Sequence, residues 1–144
     1  MNTLTKAVLA LAFSAASAFA QVAVIAHKDV PLDTLNKTQL TDFYSCEMKL
    51  WDKSMPLLVV DLKLQSEAKD AFYKFLGMTA SRMKSIWLKK LLMGEGVEPL
   101  VVRSEEEMLK KVATTFGALG FISSSKVTDE VKTLLLLAPT EKQP

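Results

Sequence analysis

The run Val112-Ala113-Thr114-Thr115-Phe116-Gly117-Ala118-Leu119-Gly120-Phe121-Ile122 constrains the chain more than any other stretch. It predicts the last turn of a helix carrying Val112, a tight turn at Gly117, and a short buried strand from Ala118 to Ile122. Glycine weakens a strand unless another backbone or a ligand must come close, so Gly117 and Gly120 mark a crowded crossing. A helix, a glycine turn and an apolar strand in succession are the parts of an α/β domain. On spacing alone an ordinary helix-to-strand connection explains them equally well.

The rest of the chain repeats the alternation. Gln21 to Ala26 is β-branched and apolar, as a strand buried on both faces is. Asn36-Lys37-Thr38-Gln39 has the form of a capping box ahead of Leu40, Phe43 and Tyr44, a helix expected to end near Cys46. Leu57 to Leu62 reads as a second buried strand. Ser66 then caps a helix with Ala68, Phe72, Phe75 and Leu76 on its inner face, Lys69, Asp70 and Lys74 on its outer face, and Gly77 as its stop.

A third helix starts at Thr79, with an expected buried stripe of Met83, Ile86, Trp87 and Leu91 and with Arg82, Lys84, Lys89 and Lys90 in water; it ends at Gly94. Ser104-Glu105-Glu106-Glu107 opens a fourth as a capping box whose acids complement the helix dipole. Thr128 to Leu137 closes the core with Val131, Leu134, Leu135, Leu136 and Leu137 in a strand. The expected architecture is therefore three-layer α/β: a central sheet from Val22–Ala26, Leu57–Leu62, Ala118–Ile122 and Leu134–Leu137, flanked by four helices, with Phe72 and Trp87 in the core.

Met1 to Ala20 reads as a signal peptide. Lys6 supplies the positive start, Ala7 to Ala16 an apolar run too short to span a bilayer, and Ala18-Phe19-Ala20 the cleavage pattern. The expected domain runs over 21–138, with 139–144 a polar, proline-containing tail. No cysteine follows Ala20, which argues against a lipid anchor, so no stable membrane anchor is expected after cleavage. The formal net charge of +2 with no basic stripe argues against nucleic acid as a partner.

Chemistry-bearing residues are few. Cys46 is the only cysteine, so no intramolecular disulfide forms, and His27 is the only histidine, at the end of a strand. No glycine-framed serine elbow is present, the methionines fall mostly on helix faces as core filling, and the three glutamates read as helix chemistry rather than a metal site. Neither a catalytic centre, a metal site nor a cofactor is expected.

Val112, Gly117, Ala118, Leu119, Gly120, Phe121 and Ile122 match the Val-x-x-x-Pro-Gly-Ala-Ile-Gly-Tyr-Val of phosphate ABC transporter substrate-binding proteins, with Phe116 in the place of proline. Phe43, Tyr44 and Trp51 fall in register with a second motif of that family, where Cys46 and Ser54 replace glycines. Trp87, Gly94 and Pro99 follow in the family's order. The chain thus resembles the phosphate-binding-protein-like group, with the type 2 periplasmic-binding-protein-like fold, over roughly Val22 to Leu137, in a short version that corresponds to the second lobe.

That resemblance implies a periplasmic solute-binding module for phosphate or another small oxyanion, held at the N-terminus of the second helix by the Ser66 hydroxyl and the amides of Glu67 and Ala68. The family carries arginine before this helix and Ser-Gly-Thr at its start. Here Asp61 and Leu62 stand in the arginine-like places and Ser66-Glu67-Ala68 replaces the triplet, so the expected binding is weak, with the Asp61 and Glu67 carboxylates opposing an oxyanion. One lobe offers half a cleft, whereas a typical site buries ~70–90% of its ligand. A protein partner over the open half-cleft is therefore expected to supply the other wall; in the alternative reading, an interaction, sensory or assembly protein kept the fold and lost the anion site.

Overall fold

In a computed structural model, residues 21–138 are described. They form a mixed five-stranded sheet in the order β3-β2-β4-β1-β5, built from β1 (Val22–Ala26), β2 (Leu58–Leu62), β3 (Leu100–Val102), β4 (Ala118–Ser123) and β5 (Lys132–Leu137). Four α-helices, α1 (Lys37–Tyr44), α2 (Glu67–Leu76), α3 (Ala80–Leu92) and α4 (Glu105–Thr114), complete the domain. The expected signal peptide and terminal tail lie outside the described residues.

β2 pairs in parallel with β3 and β4, while β1 runs antiparallel to β4 and β5. Every residue of β1 is buried, as its unbroken apolar sequence requires of a strand covered on both faces. Alternate residues of β4 face opposite layers. Gly120 faces Met108 and Val112 of α4, and Phe121 stacks on Phe72 of α2 with ring centroids 4.0 Å apart and planes 6° from parallel. Tyr44 of α1 meets Phe72 edge-on at 4.7 Å, and its hydroxyl donates to the Val60 carbonyl at 2.9 Å.

Both glycines of the central run are required by crowding. Gly117 has φ 76°, and a Cβ there would stand 2.1 Å from the Pro56 carbonyl oxygen; at Gly120 it would stand 2.5 Å from the Met108 sulfur. The indole N–H of Trp51 donates to the Gly117 carbonyl at 2.7 Å, which locks the turn to the loop before β2.

The helix caps follow the sequence closely. Asn36 and Gln39 form a reciprocal capping box, Ser66, Thr79 and Ser104 each accept from an N3 amide, and Gly77 closes α2 in the left-handed conformation. α1 ends at Tyr44 with Ser45 as its cap, and Cys46 follows at φ 64°, the conformation that the glycine of the resembled motif adopts most easily. Burial pushes the Cys46 thiol pKa up, against the pull of Lys90 and Lys49.

Several expectations are corrected. β3 is a fifth strand not foreseen, three residues long and at the sheet edge, too short to show a period. β5 starts at Lys132, and of its leucines only Leu134 and Leu137 are buried; Leu136 is 56% exposed. The strand pairs along one edge only, and a register shift opposite Val24 and Ile25 takes Leu134 out of the ladder. In α3 Met83 and Trp87 are buried, but Ile86 is half-buried and Leu91 is exposed, because the helix packs through a narrow stripe.

Candidate anion-binding edge

Because β2, β3 and β4 are parallel, their C-terminal ends share one edge of the sheet, and α2 and α4 start there. Val22 pairs with both Ser123 and Leu137, so the two ends of the described chain also lie side by side at this edge. In open α/β sheets ligands bind outside the C-terminal ends of the strands.

Ser66 sits in extended backbone as the N-cap of α2, and its Oγ accepts from the Lys69 amide at 3.1 Å. Glu67 and Ala68 occupy the first two helical positions, whose amides have no intrahelical acceptor. No other acceptor for them occurs among the described residues. Glu67 is exposed, Ala68 buried and Ser66 half-buried, so the three expected site residues are brought together on one helix end. Asp70, also in the first turn, is held by the Gln65 side-chain amide.

The crowded crossing marked by Gly117 and Gly120 does not reach this corner. Gly117 lies at the far end of β2: its carbonyl accepts from the Leu58 amide, and roughly 13 Å of strand separates it from the Ser66 corner. The glycine pair therefore serves Pro56, Trp51 and α4 packing rather than the corner.

Lys69, expected in water, is 2% exposed, and so is Asp61. The Lys69 ammonium donates to the Leu62 carbonyl at 2.5 Å and lies 3.8 Å from the Asp61 carboxylate, which also accepts from the Tyr73 hydroxyl at 2.9 Å. Burial pushes the Asp61 pKa up, while Lys69 and Tyr73 pull it back. Burial likewise drives the Tyr73 pKa far up, so its hydroxyl keeps its proton and donates. Asp61 thus faces an internal cation and a hydroxyl, and its charge is largely neutralised where an exposed carboxylate would have repelled an anion.

A second carboxylate is seated at the same edge. Glu105 accepts from the Ser123 amide at 2.5 Å and from its hydroxyl at 2.8 Å, and lies 3.0 Å from Lys126. Partial burial alone would raise its pKa, but the Ser123 and Lys126 contacts together hold it below the usual value. The expected capping box at Ser104 is only half reciprocal, since Glu107 reaches the Arg103 amide instead of that of Ser104.

His27 stands at the end of β1, its Nδ1 accepting from the Asp29 amide at 3.1 Å and its ring edge-on to Phe116 at 5.9 Å. These contacts are structural. Sequence reasoning missed Lys63 and Arg103, and assigned Lys84 to bulk water, although all three border one cavity beside this edge. No local signal picks them out: α3 carries no acidic residue, so Lys84 looks the same as Arg82 or Lys89 in the sequence.

The fold is that of one lobe of a periplasmic-binding-protein-like domain, and it is similar to phosphate ABC transporter substrate-binding proteins. Among solved structures, a Clostridium perfringens protein assigned as a phosphate ABC transporter substrate-binding protein, crystallised with bound phosphate, superposes with a TM-score of 0.65 at 25% identity, over 81% of this chain and 45% of its own. An ABC-type phosphate transport receptor from Vibrio cholerae gives 0.63 at 22% identity, over 81% and 46%. PstS from Borrelia burgdorferi gives 0.60 at 13% identity, over 80% and 47%. The chain spans about half the length of the structures it matches. No family model matches the chain, and no curated protein does.

Proposed function

We propose that this chain is an exported, periplasmic solute-binding-protein-like module that takes phosphate or another small oxyanion weakly at the N-terminus of α2. The observation that carries the reading is the Ser66 cap with its two free amides, at the strand-end edge of a lobe whose counterpart in C. perfringens was crystallised with phosphate. Free amides and the helix dipole favour an anion there by ~0.3–1 kcal/mol at an exposed site. Leu62 offers no bidentate clamp where the resembled family has arginine, and the Glu67 carboxylate opposes the anion. The expected dissociation constant for phosphate is therefore about 1 mM or weaker, about 4 kcal/mol of binding.

The Met1–Ala20 leader supports export, and the solved relatives named above are binding proteins, which supports a binding role rather than catalysis. An anion at this edge is covered on one side only, so a second protein surface over the open half-cleft is part of the proposal. Isothermal titration with phosphate tests it: weak, millimolar heat lost in Ser66→Ala is the expected result. Micromolar binding would show that the corner keeps full strength, and the absence of heat with any oxyanion would favour a protein that retained the fold for interaction.

A further inference from the structure

Between α3 and the β2–β3 edge lies a cavity of about 650 Å³, within the range of small-molecule sites and several times the space that a bare tetrahedral oxyanion fills. Its walls are of two kinds. Trp87, Leu88, Pro99 and Val101 give an apolar side. Leu88 is 52% exposed and Val101 is 55% exposed, large side chains left in water beside one another's cavity.

The other side is charged. Lys69 and Asp61 neutralise each other within the wall. Lys63, Lys84 and Arg103 make no ion pair among the described residues, and only Glu98 stands against them on the lining. Elsewhere at this edge a carboxylate of the chain itself occupies the donors, as Glu105 does at Ser123 and Lys126. Three cations without an ion pair, lining the same cavity as an apolar wall, suit a ligand with an anionic head and an apolar body, since each part then loses less water than it would against a wall of one kind.

We infer that this cavity binds a small organic anion, an acid group carried on an aromatic or aliphatic body, with Lys84 and Arg103 on the acid and Trp87, Leu88 and Val101 on the body. The assignment rests on the solute-binding reading but not on the Ser66 corner. It makes the preferred solute an amphipathic acid rather than bare phosphate.

Phenyl phosphate, inorganic phosphate and benzyl alcohol serve as probes in isothermal titration, each against wild type, Lys84→Gln/Arg103→Gln, Ser66→Ala, and Lys89→Gln/Lys111→Gln as a control that removes equal charge outside the cavity. Phenyl phosphate is expected to bind at least tenfold tighter than inorganic phosphate. It should lose at least tenfold in Lys84→Gln/Arg103→Gln, whose exposed positions leave the far-UV spectrum unchanged, and little in the other two variants; benzyl alcohol should bind more weakly than phenyl phosphate. Phenyl phosphate no tighter than inorganic phosphate, or weakened equally by the control pair, overturns the cavity assignment. If inorganic phosphate still binds through Ser66 in that case, the corner reading stands; if phenyl phosphate binds through Lys84 and Arg103 while phosphate shows no dependence on Ser66, the corner fails and the cavity stands. No binding of either probe sinks both.

Discussion

The Lys69 ammonium lies 3.8 Å from the Asp61 carboxylate with both side chains 3% exposed. Removing one member of a buried pair leaves the other charge without compensation, at a typical cost of ~3–5 kcal/mol, whereas removing both charges is far milder. Lys69→Met should therefore lower the unfolding free energy by about that amount, and Asp61→Asn/Lys69→Met should regain at least half of it. Urea unfolding of the three proteins checks this. A double variant that recovers none of the loss seen in Lys69→Met would contradict this account.

Glu105 and Asp61 give stability opposite dependences on pH. The Glu105 pKa is lowered in the fold, so its contribution is present above the ordinary glutamate value of 4.5 and is lost as pH falls through the folded value. The Asp61 pKa is raised, so the folded chain takes up that proton more readily than the unfolded chain, and protonation of Asp61 favours the fold as pH falls through the raised value. Between about pH 7 and pH 3 the stability advantage of wild type over Glu105→Gln should shrink, while wild type should gain on Asp61→Asn. Urea midpoints at a series of pH values read both trends, and a gap to Glu105→Gln that widens on acidification would contradict the assignment.

Gly117 and Gly77 have similar positive φ, 76° and 70°, but different surroundings. A Cβ at Gly77 meets nothing within 4 Å, so Gly77→Ala carries only the left-handed penalty of ~1–2 kcal/mol. At Gly117 the Pro56 carbonyl adds a backbone clash, and overpacking costs a further ~1–3 kcal/mol. Gly117→Ala should accordingly destabilise more than Gly77→Ala by at least ~1 kcal/mol in denaturant unfolding.

Trp87 is 5% exposed and its indole N–H donates to the Tyr44 carbonyl at 2.6 Å. Trp87→Ala should cost ~3–5 kcal/mol through the cavity it leaves. Trp87→Phe keeps most of the ring but strands the Tyr44 carbonyl, at ~1–3 kcal/mol. A melting temperature unchanged in Trp87→Ala would contradict the packing of α3.

The strands and helices that order the core were legible because their signals are local. Capping residues, glycine stops and unbroken apolar runs lie within a few positions of the backbone they control, and Asn36, Ser66, Thr79, Ser104 and Gly77 all act where the sequence put them. β3 was not legible, since three residues at an edge carry no period. The character of Lys69 was hidden for a different reason: helix periodicity assigns it a face, but the partner that makes its burial tolerable, Asp61, is on the preceding strand. The cavity cations were hidden likewise, because Lys63, Lys84 and Arg103 come from three separate segments. The resemblance supplied the corner at Ser66, and the strand register sets Gly117 apart from it.

The anion corner is tested most directly by titrating isotopically labelled protein with inorganic phosphate and following backbone amide resonances. The amides of Glu67 and Ala68 should move together, with a common dissociation constant of about 1 mM or weaker, and the shifts should vanish in Ser66→Ala while the remaining spectrum is preserved. Amide shifts that appear elsewhere but not at Glu67 and Ala68, or that survive Ser66→Ala unchanged, would contradict it.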